Sequence, residues 1–279
     1  MANTITDQMI GTLITAAQFA TYENSIARVV GTTYDVAPGT GNSVQVPVYA
    51  SMTAGAKSTI AGHVDEFIDA ATGATSATLT MAELGIYNRV KDMDQGGSSS
   101  NVMNDLGMQA GMAVAEGIDL QAFSQFNLFT GGTVGATDVD LGIADIMRAA
   151  SLLRASGHVG RYSCVLNPLA ALPIKIALAG TLAGGERVLG AFYLGTVAGV
   201  DIYESSAVLA FDGTDADTIN ESTGAVFVST SIGVAMRGGI EVEQQRSAKG
   251  KATDVVVSAV VGSGIINAAG GVQLIGKAA

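Results

Sequence analysis

The sequence predicts an α+β fold in which β ribbons, one long helix and a mixed region of helices and strands follow one another without a regular strand–helix–strand rhythm. Three observations predict it. Val44, Val46 and Val48 alternate with Gln45 and Pro47, and alternation returns in Ala77–Met81 and Ile86–Val90, as in half-exposed strands. The stretch from Val102 to Phe126 carries apolar residues at three- and four-residue spacing. Short β-branched runs bounded by glycine then recur toward the C-terminus.

Taken in order, residues 1–36 mix helix formers with isolated polar positions and hold too few apolar residues for a core of their own, so they are expected to be an arm. The apolar stretch Met9–Ala20 within them follows Asp7 with no preceding Lys or Arg, the wrong charge for a secretory signal, and reads as amphipathic. Pro38-Gly39-Thr40-Gly41-Asn42 is turn chemistry. The strand after it contains Pro47, which restricts it to pairing on one side. Ser51–Ser76, rich in Ala, Thr, Gly and Ser, reads as a long extended excursion, and the return leg to Val90 is expected to pair with the outgoing strand as a two-stranded ribbon. Such a ribbon is marginal alone and needs a surface to lie on.

Ser98–Asn101 offers capping oxygens to the long helix, whose apolar face is read as Leu106, Ala110, Ala113, Val114, Gly117, Leu120 and Phe123. A second helix is expected over about Leu141–Ala155, capped by Asp140 and followed by Gly157. Tyr162–Leu166 is a strand, and Asn167-Pro168 then opens a helix to about Ala179, bent or interrupted at Pro173. Strands are expected at Val200–Tyr203, Ala225–Val228, Ile240–Val242, Thr253–Val261 and Val272–Ile275. Val255–Gly276 is uncharged over a bilayer-spanning length, but its glycines, Asn267, Gln273 and initial alternation favour strand, turn and strand over a membrane helix.

Composition narrows the function. Charged residues make up 14% of the 279, where about 25% is usual. A compact monomer of this mass would show on the order of 11,000 Å² of surface, so wide tracts are uncharged and suited to cover by other copies. The net charge of −11 argues against a chain that neutralises nucleic-acid phosphates over its whole surface. Arg237, Arg246, Lys249 and Lys251 are the one concentration of basic residues, read as a solvated loop or a contact with acidic neighbours. The single cysteine, Cys164, lies in an apolar run and is expected to be a buried structural thiol.

Candidate catalysts are few. His63 and His158 each sit beside glycine in loop contexts and read as structural rather than as bases or ligands. No zincin helix, nucleophile elbow or phosphate loop is present. Asp65 and Glu66 are consecutive, so on a strand they face opposite ways, which suits a solvated edge and not an acid/base dyad. Gly262-Ser263-Gly264 follows a strand, as a dinucleotide fingerprint would, but Asn267 stands at the third glycine and no βαβ unit follows, so a β-turn is expected there. No cofactor or metal is expected, and enzyme activity is the function class with least support.

The order of parts resembles the major capsid proteins of tailed phages, with the Hong Kong 97-like fold. The matching stretches are the ribbon Val44–Val90 as the extended loop, the spine helix Val102–Phe126, the run Ile143–Pro168, and Gly195–Tyr203 before the late strands. The resemblance implies an N-terminal arm (1–36), an extended loop (37–97), a peripheral domain with the spine helix (98–165 and 236–279) and an axial domain (166–235). It further implies an icosahedral shell of hexamers and pentamers in the virion, assembled in the host cytoplasm from many copies of the chain. Double-stranded DNA would be enclosed and not sequence-specifically bound; portal, scaffold or decoration proteins would be partners, and a membrane would not. Val46, Val48, Lys57, Asp65, Glu66 and Arg89 are the expected contacts between copies. Some members of the family crosslink through a Lys in the extended loop; Lys57 lies in that loop, but no partner Asn or catalytic acid aligns, so crosslinking is not carried over. An encapsulin-type compartment shell or a surface-layer protein are the alternative readings.

Overall fold

The computed structural model describes residues 15–17, 25–37, 39, 41–49, 74–91, 102–136, 139–181, 193–208 and 223–277. Its first elements are a short helix, α1 (Ile26–Val30), and strand β1 (Thr32–Val36). Both come from the stretch read as an arm, yet Ile26, Ala27 and Val30 lie in the main core and β1 pairs in parallel with a later strand, β10 (Ile232–Ser247).

Strands β2 (Ser43–Tyr49) and β3 (Ala74–Thr80) pair antiparallel, from Ser43 opposite Thr80 to Tyr49 opposite Ala74, and make a two-stranded ribbon. The second half of the predicted return leg behaves differently. After Met81, whose N–H donates to the Asn42 carbonyl, strand β4 (Ala82–Lys91) leaves the ribbon and pairs with β11 (Ala252–Ile265) in the body. The physical reason lies in its alternation: Leu84 and Ile86 turn toward the spine helix and pack against the main core, burial that a bare ribbon cannot supply.

The spine helix, α2 (Val102–Phe123), ends close to the predicted point and is followed by a 3₁₀ turn at Phe126–Leu128. Its buried face is rotated from the one expected. Ala110, Val114, Ala115, Ile118, Asp119, Ala122 and Phe123 are inside, whereas Leu120 and Ala113 are exposed. The face is chosen by what lies across it: α1 on one side, and β4 and β11 on the other.

Strand β5 (Thr133–Gly135) precedes helix α3 (Ile143–Ala155). Asp140 does not cap α3; Gly142 is the N-cap, and its N–H donates to the Asp145 carboxylate one turn in, at 2.9 Å. Strand β6 (Tyr162–Leu166) is followed by helix α4 (Pro168–Thr181), whose N-cap Asn167 accepts from the Leu169 N–H at 2.9 Å. Of the bend or interruption expected at Pro173, there is no interruption: α4 continues through it.

Strands β7 (Tyr193–Val197), β8 (Val200–Glu204), β9 (Gly224–Val228), β10 (Ile232–Ser247), β11 and β12 (Gly271–Ile275) complete the chain. The strand expected at Ile240–Val242 is the middle of the much longer β10. Gly262-Ser263-Gly264 is no turn: it lies inside β11, paired with Ala235, Val234 and Gly233.

Two sheets organise the body. One has the order β1-β10-β11-β4, the other β5-β12-β9-β6-β8-β7, with β5–β12 and β6–β8 parallel. In the six-stranded sheet β6 and β9 are buried at every position, because each face belongs to a different core. Cys164, Leu166, Ile202, Val226 and Leu274 face α3 and α4, while Val165, Tyr203, Ala225 and Phe227 face the core of the spine helix. Phe123, Phe126, Phe129 and Phe227, with ring centroids 5.2 to 5.9 Å apart, join the spine helix to this sheet. The Cys164 thiol is fully buried, and burial raises its pKa far above the ordinary thiol value, which makes it inert.

Candidate assembly surfaces

Three arrangements hold the parts of the chain that have no core of their own. The first is at the base of the ribbon. Val46 is buried with Leu79 and Ala235, while Tyr34, Val36, Val44 and Ile266 close around them. The glycines of β11 admit this base: a Cβ at Gly262 would run into the Thr80 carbonyl, and one at Gly264 would touch Leu79 as well as the Gln125 side chain. Arg237, on β10, reaches from beneath to donate to Asn42 Oδ1 at 3.3 Å. Val48 lies farther out and is half-buried. Of the other expected contact residues, Lys57, Asp65 and Glu66 lie outside the described residues, as does His63.

The second arrangement holds the arm. Asp119, on the inner face of the spine helix and only 4% exposed, accepts three hydrogen bonds: from Ser25 Oγ at 2.9 Å, the Ile26 N–H at 3.0 Å and the Ala27 N–H at 2.9 Å. These are the free donors at the start of α1, so the spine helix supplies the cap that the arm lacks locally. Burial pushes the Asp119 carboxyl above the ordinary carboxylate range, against the pull of its three donors. The folded chain therefore binds that proton more tightly than the unfolded one. The stability carried by the neutral acid is lost as pH rises through the raised folded value.

The third arrangement is on the open face of the four-stranded sheet, where Asp254 of β11 is gripped from β4. Arg89 Nε donates to Oδ1 at 2.6 Å and Nη2 to Oδ2 at 3.0 Å, and the Tyr87 hydroxyl donates to Oδ1 at 2.8 Å. Arg89, expected to contact another copy, is thus engaged within its own chain with its side chain 49% exposed. The hydrogen bond from Arg89, with that from Tyr87, holds the Asp254 carboxyl down to about 2, and its partner Arg89 is raised in turn. Because the folded value is depressed, the contribution of this carboxylate is complete above the ordinary range and disappears as pH falls toward 2. Replacing Arg89 with Ala is expected to return the Asp254 pKa most of the way to the ordinary value of about 3.9. A carboxyl-carbon titration by NMR checks this; an unmoved Asp254 would show that Tyr87 alone sets it.

A comparable cluster stands on the six-stranded sheet. Asp201 accepts from Thr196 Oγ1 at 2.5 Å and from Arg161 Nε at 2.8 Å, and Arg161 Nη2 donates to the Tyr203 hydroxyl at 3.0 Å. The Thr196 bond is the largest influence holding the Asp201 carboxyl below its usual range. Neither cluster pairs a nucleophile with a base. Among the described residues no three His, Cys, Asp or Glu side chains gather as metal ligands, and no helix is long and apolar enough to cross a membrane. The arrangements tie neighbouring strands together through hydrogen-bonded side chains.

Sequence reasoning did not single out Asp119, Tyr87 or Asp254. The signal for Asp119 was an acid inside the apolar stripe, between Ile118 and Ala122. Tyr87, Arg89 and Asp254 are each unremarkable until register puts Arg89 opposite Asp254.

No protein-family model matches the sequence, and no curated protein is significantly similar to it. Solved structures are similar over most of the chain. The capsid of Ralstonia phage GP4 superposes with a TM-score of 0.67 at 11% identity, covering 90% of this chain and 87% of the phage chain. This is the Hong Kong 97-like phage capsid fold. The capsid of an empty GTA particle gives a TM-score of 0.63 at 14% identity, covering 91% of this chain and 90% of that one. The capsid of cyanophage P-SCSP1u gives 0.61 at 16% identity, with 90% and 87% covered. The chain therefore shares the fold of these capsid chains, and the α+β expectation holds.

Proposed function

We propose that the chain is the major capsid protein of a tailed double-stranded DNA phage, self-assembling into hexamers and pentamers of an icosahedral shell. One observation carries the reading: the capsid fold extends over about nine-tenths of the chain and includes a two-stranded ribbon whose only described pairing is with itself. The ribbon's base lies on β10 and β11 of its own chain, but the outer part has no described surface beneath it, and two strands do not persist alone in water. In a shell each ribbon lies on the neighbouring copy, which supplies the missing surface.

In this reading residues 1–36 are the arm, 37–97 the extended loop together with the strand β4 that returns from it into the body sheet, 98–165 and 236–279 the peripheral domain and 166–235 the axial domain. Lys57, Asp65 and Glu66 of the loop meet neighbouring copies, Val48 and Arg89 border that contact, and Val46 supports it from beneath. The acidic balance, net −11, suits a wall that encloses DNA without gripping it. Portal, scaffold and decoration proteins are the further partners, the shell of the virion is the location, and assembly takes place in the host cytoplasm.

Negative-stain electron microscopy of the purified protein tests the reading, with closed particles expected. A decisive variant replaces residues 51–73 by a short glycine–serine turn, keeping the β2–β3 pairing. It is expected to fold, with an unchanged circular dichroism spectrum, and to form no closed shells. Normal shells from that variant would remove the loop from assembly.

A further inference from the structure

The open face of the β10-β11-β4 sheet has charge sorted along its strands, apart from Arg237, which stands beside Val260 in the row of Glu83 and is turned to Asn42. Register places Glu241 beside Ser258 and Gly85, Glu243 beside Val256 and Tyr87, and Glu83 beside Val260, all on the side away from the spine helix. Glu83, Glu241 and Glu243 are exposed and form no ion pair among the described residues. Next along the face comes the closed Tyr87–Asp254–Arg89 group, whose charges cancel. Beyond it the strands end at Lys91, opposite Ala252, and at the 248–251 turn, which carries Lys249 and Lys251, both exposed. Lys251 holds a left-handed backbone at φ 44°, and its N–H donates to the Ala248 carbonyl, so the turn has a defined shape.

The acidic and basic ends cannot satisfy one another within one molecule. Even Glu243, the nearer glutamate on β10, is four residues from Ser247 along the strand, about 13 Å, beyond the screening length of about 8 Å at physiological salt. Asp254, the carboxylate nearest the basic end in register, is already occupied by Arg89.

We infer that this face is an electrostatic docking surface for a second copy of the chain: the Lys249/Lys251 turn of one subunit seats on the Glu83/Glu241/Glu243 field of the next. The contact is head to tail, using two different patches of the same protein, and so closes rings or propagates, as a shell requires. Tyr87 and Arg89 stand between the patches, held by Asp254, and side chains of these two types fixed in advance are favoured at the centres of interfaces. The inference deepens the shell reading and rests on it.

The test is charge exchange, read as the yield of sedimenting particles at low and high salt. The turn lysines are chosen over Lys91 because Asp92 and Asp94 follow Lys91 in the sequence. Lys249→Glu/Lys251→Glu is expected to keep the wild-type circular dichroism spectrum, to cut particle yield at least about tenfold at low salt, and to lose its salt dependence. Glu83→Lys/Glu241→Lys/Glu243→Lys is expected to do the same, and the chain carrying both sets to recover particles, since complementarity is restored with the signs reversed. Wild-type yield from the lysine variant, or no recovery in the combined chain, overturns the contact while the shell reading stands. If the lysine variant loses duplex-DNA binding and the glutamate variant assembles normally, the turn meets phosphate and the contact is likewise overturned. A wild-type chain that forms no particles under any condition overturns the shell reading itself, and this contact with it.

Discussion

Ala110→Arg is expected to lower the unfolding free energy of the subunit by about 3–5 kcal/mol, the usual consequence of an uncompensated charge in a core. Ala110 is 4% exposed and packs in the cluster that holds Val114, Ile118 and Phe123. Ala113→Arg, three residues along the same helix, is expected to change stability by no more than about 0.5 kcal/mol, because Ala113 faces solvent. For a chain of this length the first change amounts to a fall in Tm on the order of 10 °C. Thermal unfolding of the two unassembled variants checks the contrast. Equal melting temperatures would mean that the buried face of the spine helix is not the one described.

Asp119→Ala is the second large effect, at about 3 kcal/mol or more. The substitution leaves Ser25 Oγ and the Ile26 and Ala27 N–H groups buried without an acceptor, and each orphaned donor carries a desolvation penalty of about 1–3 kcal/mol unless α1 leaves its site. The arm should yield first, because its described attachment consists of this cap, a few apolar residues and the β1 pairing. Hydrogen exchange at Ile26 and Ala27 separates release of the arm from global unfolding. Faster exchange there, with β6 and β9 still protected, is the expected pattern; unchanged protection would show that Asp119 does not hold the arm. Asp119→Asn should lose less, since its carbonyl oxygen can still accept, although its amide then turns a donor toward a backbone N–H.

Both experiments probe features that were only partly visible in the sequence. The spine helix was legible because a 3.6-residue period needs nothing beyond the chain itself. Its orientation was not. Choosing Ala113 and Leu120 as buried weighed apolar size, whereas the folded chain turns Asp119 inward, where α1 presents three donors from residues more than ninety positions away. The ribbon was legible in its first half for a similar local reason and mistaken in its second, because alternation in Ala82–Lys91 says that the strand has two unlike faces but not which strand lies beside it.

The sequence by itself determined the type of many elements and where some begin: the Asn167-Pro168 helix start, the long helix from Val102, and the strands expected at Tyr162–Leu166 and Ala225–Val228. It also determined the paucity of charge that points to burial among copies. Only the tertiary structure decided partners: β1 beside β10, β4 beside β11, Arg89 on Asp254, and Asp119 at the foot of the arm. Period and capping are properties of a few consecutive residues. Pairing and burial depend on groups brought together from distant parts of the chain, and their energies exist only once the chain has closed around them.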